Sequence, residues 1–85
     1  MIYSVYILYS EKCQKYYVGQ TEALNRRVLE HNNGKGGKFS SNCFPWTLVY
    51  HEHFNNRIEA VKREKEIKSK KSRVYIEYLI GRASR

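Results

Sequence analysis

The chain has 85 residues, room for one small core, and its 16 Lys and Arg against 8 Asp and Glu give a formal net charge of +8. No run of about 18 apolar residues and no charged segment leading into an apolar one is present, so neither a membrane span nor a secretory leader is expected, and the protein reads as cytosolic. A basic surface of this size attracts polyanions, nucleic acid foremost. A membrane surface fits less well, because no lysine-rich amphipathic helix with exposed Trp or Phe is evident.

Met1 to Tyr9 is rich in Tyr, Val and Ile and has no breaker, which predicts a strand. Both alternating sets of this segment are largely apolar, as in a central strand covered on two faces. Ser10 to Lys15 is a polar connector, and Tyr16 to Thr21 forms the antiparallel partner. Gly19 there lets a backbone or ligand come close. Thr21 is the expected N-cap of a helix that runs to Asn33 and stops at Gly34, with Glu22 in its first turn. Leu24, Arg27, Val28 and His31 share one stripe of that helix, which places two polar groups on the face that should meet the sheet.

Gly34 to Pro45 is a long loop whose glycines and lysines suit a path along phosphates, or a simple connector. Lys35 and Lys38 are its candidate phosphate ligands. Trp46 to Phe54 reads as a third strand, with Leu48, Tyr50 and Glu52 on one side. Trp46 is read as a core residue ahead of a stacking platform. Asn56 with Glu59 makes a capping box for a basic second helix that carries Arg63 and Lys68 as further candidate substrate ligands. Tyr75 to Ile80 is expected to form a last short helix before a fraying tail. One domain over residues 1–82 with a tail at 83–85 accounts for the whole chain. Cys13 and Cys43 lie far apart with no CxxC spacing, and reduced thiols are expected.

Glu64 does not fit its surroundings. On the second helix Ile58, Ala60, Val61 and Ile67 define an apolar arc, and Glu64 falls inside it. A carboxylate desolvated alone is costly, so it needs a partner: a structural ion pair with an arginine such as Arg27, or a metal.

Ser4-Val5-Tyr6, Tyr17-Val18-Gly19, Arg27 in NRRVLEHN, His31 and Glu64 in AVKREKEIK, in this order and spacing, resemble the GIY-YIG nuclease superfamily over nearly the full chain. Small stand-alone members are the most similar. Ser4 stands where the first motif has glycine, and the substrate-recognition domains of larger members are absent. The resemblance implies an α/β fold in the order β-β-α-β-α-α, a small antiparallel-type three-stranded sheet flanked by helices. It implies hydrolysis of DNA phosphodiesters with one divalent ion, Mg²⁺ (or Mn²⁺), on Glu64. It also implies an essential Arg27, and Tyr6 as general base with Tyr17 and His31 orienting water and phosphate. Tyr17 and His31 stay open as alternative bases, the latter because a free imidazole titrates near neutrality.

The expected partner is DNA, with RNA as the alternative, bound through phosphates in a shape-directed, salt-sensitive and nearly sequence-blind manner. Specificity would come from DNA structure or from a protein partner, and the sequence leaves the oligomeric state open, a monomer among the alternatives. The competing function is a nucleic-acid-binding module with the same fold and weak or no catalysis.

Overall fold

The first strand, β1 (Tyr3–Ser10), has no polar face, and that decides its place. In the computed structural model, which describes residues 2–34 and 42–83, β1 lies at the centre of a three-stranded antiparallel sheet, between β2 (Lys15–Thr21) and β3 (Trp46–Phe54). Helices α1 (Leu24–Asn32), α2 (Arg57–Ser69) and α3 (Arg73–Ala83) complete the expected β-β-α-β-α-α order.

Alternation along β1 divides the core in two. Val5 and Ile7 pack with Val18, Ala60 of α2, Ile67 of α2 and Leu79 of α3. Tyr6 and Leu8 pack on the other face with Trp46 and Cys43, bordered by Tyr17 and by Leu24 and Val28 of α1. Trp46 is thus a core residue, only 3% exposed.

The expected placement of Leu48 and Tyr50 on one side of β3 is corrected by a β-bulge. Leu48 stands opposite Leu8 and Tyr50 opposite Ile7, with Val49 inserted between them. One extra residue reverses the alternation. Leu48 therefore joins the α1 side, while Tyr50 turns to the α2 and α3 side.

The helix ends also differ from expectation. Thr21 does not cap α1: its hydroxyl accepts from the Ala23 amide at 3.0 Å, a local turn that delays the helix to Leu24 and leaves Glu22 outside it. Gly34 follows the helix in the left-handed region at φ 77°. Asn56 caps α2 as expected, its side chain accepting from the Glu59 amide at 2.9 Å. Ile58, expected on the apolar arc, is 80% exposed. It lies two residues, about 200° of helix rotation, from buried Ala60. Helix α3 is longer than expected, with the Ser72 hydroxyl accepting from the Tyr75 amide at 3.1 Å ahead of its first full turn. Gly81, Arg82 and Ala83 are helical rather than frayed, and the last two residues lie outside the described ones.

The expectation of reduced thiols is corrected as well: Cys13 and Cys43 form a disulfide, with Cα atoms 5.5 Å apart. Pairing of β1 with β3 sets Ser10 opposite Trp46, which draws the connectors beyond them together. The buried Ser10 hydroxyl donates to the Cys43 carbonyl at 2.6 Å and accepts from the Cys13 amide at 3.1 Å. Sequence spacing alone carries no sign of this contact.

Candidate active site

The site is assembled where β1, β2 and α1 meet. Tyr6 and Gly19 are direct partners across the β1–β2 ladder, and the Tyr6 side chain lies over the glycine. A Cβ at position 19 would stand 2.6 Å from the Tyr6 hydroxyl oxygen, 2.8 Å from its Cζ and 3.0 Å from the Tyr17 ring. Gly19 is needed for the space it leaves, as the strand reading anticipated.

From Gly19 upward the cluster is aromatic. The Tyr6 hydroxyl and His31 Nε2 are 3.1 Å apart. The Tyr17 and His31 ring centres are 4.6 Å apart, those of Tyr6 and Tyr17 6.2 Å, and Trp46 stands edge-on to both Tyr17 and His31. His31 is fully buried on the sheet-facing stripe of α1. Burial first, and the Arg27 charge second, push its pKa below the ordinary histidine value, so the ring is neutral at physiological pH. Burial, then the neighbouring Tyr17, raise the Tyr6 hydroxyl to about 12 against the pull of Arg27.

Arg27 lies one turn before His31 on α1. It donates to Glu30 Oε1 at 3.0 Å and interacts with the hydroxyls of Tyr6 and Tyr17. The Glu30 bond, aided by the two phenols, outweighs burial and raises its pKa above the usual arginine value. About a third of the Arg27 side chain is exposed. A planar, permanently charged fork beside two phenols and a neutral imidazole has the chemistry to receive an oxyanion.

Glu64 reaches the margin of this cluster from α2, near enough for its charge to act on Tyr6. Its side chain is 18% exposed and its Oε2 accepts from Lys68 Nζ at 2.7 Å. The ion pair weighed from sequence, with Arg27, is replaced by one with Lys68, one turn along the same helix. Among the described residues no three His, Cys, Asp or Glu side chains group to hold a metal. The carboxylate that reaches the cluster from α2 is Glu64. An ion there would take its remaining ligands from water and substrate, which is how Mg²⁺ is ordinarily held.

The structure therefore gathers Tyr6, Tyr17, His31 and Arg27 over Gly19, with Glu64 at the edge. It does not gather Arg63, which faces β3 and donates from Nε and Nη2 to Glu52 and from Nη1 to Glu66 and Tyr75. Lys68 is engaged with Glu64, while Lys35 and Lys38 lie outside the described residues. Sequence reasoning missed Glu30, though its position three residues after Arg27 on one helix was a usable signal. It also missed the bond between Ser4 Oγ and His53 Nδ1, 2.9 Å, which ties the start of the first motif to β3.

The model for the GIY-YIG catalytic domain matches residues 2–77. The chain belongs to the GIY-YIG family. That places it in a nuclease superfamily, in agreement with the clustered motif residues. It is 42% identical over 66 residues to a UPF0213 protein of Staphylococcus epidermidis, covering 75% of this chain and 80% of that one. It is 36% identical over 77 residues to the UPF0213 protein YazA of Bacillus subtilis, covering 85% and 78%. The solution NMR structure of a UPF0213 protein from Bacillus halodurans is similar over 95% of this chain and 84% of that one, with a TM-score of 0.59 at 34% identity. This GIY-YIG domain thus shares its fold with a small protein of the same kind.

Proposed function

We propose that the protein is a metal-dependent endonuclease that hydrolyses DNA phosphodiester bonds in a structure-directed way, in the cytoplasm and in the service of DNA repair or recombination. The observation that carries this reading is the convergence of Arg27 with Tyr6, Tyr17 and His31 over Gly19.

Glu64 would hold Mg²⁺ or Mn²⁺. The fit rests on its being the carboxylate that reaches the cluster from α2, with an oxygen that already accepts from a cation, the half-exposed Lys68 ammonium. When bound, the ion neutralises phosphate charge and makes a nearby water more acidic.

The remaining work falls to side chains. Arg27 donates to the non-bridging oxygens as charge builds on them in the transition state. At neutral pH Tyr6 is a phenol, being raised to about 12, so a free phenolate is not the base. Its contact with His31 offers another route. Tyr6 takes the proton of the attacking water while its own proton passes to the neutral His31 Nε2. The hydroxide bonds to phosphorus, the bridging P–O bond breaks, and the departing oxygen is protonated from solvent. Tyr17 and Trp46 wall the imidazole.

Nicking of supercoiled plasmid and of branched DNA by pure protein with Mg²⁺ or Mn²⁺ tests this. Cleavage is expected, and is expected to vanish with EDTA and in Glu64→Ala. Cleavage that survives Glu64→Ala removes the metal assignment, and salt-dependent binding without cleavage leaves a binding module in its place.

A further inference from the structure

A cleft of about 510 Å³ opens between the β2 edge of the sheet and the turn joining α2 to α3. It lies on the α2 and α3 face of the sheet and is joined to the catalytic cluster at the β2 edge by Tyr17, which packs with Tyr6 on the other face, and by Lys68, the partner of Glu64. Its floor is apolar, formed in part by Ile67 and Ile76, and Tyr16 supplies an aromatic wall. Lys68, Lys71 and Arg73 stand around the opening, Lys68 in an ion pair with Glu64 and Arg73 in one with Glu77.

The wall is held in place. The Arg73 guanidinium lies 5.3 Å from the centre of the Tyr16 ring. The Tyr16 hydroxyl and Arg73 Nε both donate to Glu77 Oε2, at 3.4 and 3.3 Å. Lys71 sits in the turn at φ 48°, a left-handed conformation that projects a charged residue where glycine would be at ease.

An apolar floor, a tyrosine at the wall and a basic rim, in which Lys68 is paired with Glu64 and Arg73 with Glu77, match a nucleobase with its flanking phosphates. The volume falls within the range of about 300–1,000 Å³ typical of small-ligand sites. A base inside a duplex cannot enter such a cleft, since it is stacked and paired. We infer that the cleft receives an unpaired nucleobase of the substrate strand, with Lys71 and Arg73 on the phosphates beside it. The substrate class is then DNA carrying a single-stranded nucleotide next to the scissile bond. This deepens, and rests on, the nuclease reading.

The test is binding in EDTA, where no cleavage occurs, by fluorescence anisotropy. One DNA is a fully paired duplex and the other is the same duplex with a single unpaired 2-aminopurine. The wild type should bind the second about tenfold more tightly, with quenching of the 2-aminopurine on stacking, at about 1.4 kcal/mol per tenfold. Ile76→Trp fills the floor and should bring the bulged DNA to the affinity of the paired one, leaving paired binding within about twofold. Lys71→Gly removes the charge at a position suited to glycine, so the fold is kept. It should weaken binding of the bulged DNA about fivefold and lower its salt slope by about 1.

Equal affinities for the two DNAs in the wild type would overturn the inference, as would full discrimination in a folded Lys71→Gly or Ile76→Trp protein. The two readings fail separately. Discrimination without metal-dependent cleavage sinks the nuclease and keeps the cleft; cleavage without discrimination does the reverse.

Discussion

Arg27 and Arg63 are both helical arginines, both partly buried, and both have raised pKa values for the same leading reason, a carboxylate bond. Their surroundings differ. Arg63 meets Glu52 through two nitrogens, donates also to Glu66 and Tyr75, and is 19% exposed. Arg27 bonds one carboxylate on its own helix and otherwise faces phenols. A fork saturated by carboxylates holds the fold together, whereas a fork facing neutral hydroxyls has a use for an incoming anion. The same side chain is thus enclosed by carboxylates on the β3 side of the sheet and, under the proposed function, turned to an incoming anion on the β2 side.

Exchanging each arginine for alanine should separate the two roles most sharply. Arg27→Ala is expected to lower DNA cleavage by about 10³-fold, the scale of losing a charged donor to a developing oxyanion, while its melting temperature stays within a few degrees. Arg63→Ala is expected to keep cleavage per folded molecule and lose stability instead. Plasmid nicking and thermal melts on the same preparations check both, and a nicking loss of 10³-fold in Arg63→Ala would erase the distinction.

Gly19→Ala attacks the receptive side without touching any charge. The new methyl would stand 2.6 Å from the Tyr6 hydroxyl oxygen, so Tyr6 must move off His31. Cleavage is expected to fall about 100-fold, a typical cost of misplacing a reacting group by about an ångström. The cost in stability should be smaller than for Arg63→Ala. Single-turnover rates beside a denaturant titration measure the two losses.

On the structural side, breaking the Arg63–Glu52 pair should cost about 2 kcal/mol in denaturant unfolding, because the uncompensated partner is left three-quarters buried. Burial alone would raise the Glu52 pKa, but bonds from Arg63 and Tyr50 outweigh it and hold the carboxyl below its usual value. The folded pKa lies below the unfolded one, so this stabilisation is full above the unfolded value of about 4.5 and is lost as pH falls through the folded pKa. Glu52→Gln should flatten that acid slope, and an unchanged slope would assign acid sensitivity to other groups.

Much of the receptive side was legible in the chain because it obeys local periods. Leu24, Val28 and His31 fall on one stripe of α1, which brings Arg27 to the sheet, and the two apolar sets of β1 place Tyr6 in a central strand beside Gly19. Glu64 was legible for the same reason, lying about 40° around α2 from buried Ala60. The structural side was hidden because its contacts are not periodic. A single inserted residue in β3 sends Tyr50 to the face opposite Leu48, and only then does Glu52 face α2 and claim Arg63. The Cys13–Cys43 bridge depends likewise on the β1–β3 pairing, which joins segments 30 residues apart. Arg63 looked like a phosphate ligand because a basic helix shows its charges in sequence but not their partners.

The mildest change bears on how complete the contrast between the two arginines is. Among the described residues Glu30 is the one carboxylate bonded to Arg27, at 3.0 Å, with 37% of its side chain exposed, and Arg26 lies 3.9 Å from its other oxygen. Exposed pairs three or four residues apart on a helix contribute little, so Glu30→Gln should shift stability by no more than about 0.5 kcal/mol. A carboxylate there also competes with phosphate for the Arg27 fork. Glu30→Gln should therefore tighten DNA binding in EDTA about twofold while leaving cleavage within about threefold of wild type. A loss of tenfold or more in cleavage, with binding intact, would mean that Glu30 aims the Arg27 fork at the reacting phosphate. Arg27 would then depend on a carboxylate for its orientation just as Arg63 does for its place in the fold, and the difference between them would lie only in which of their donors remain turned toward the cleft.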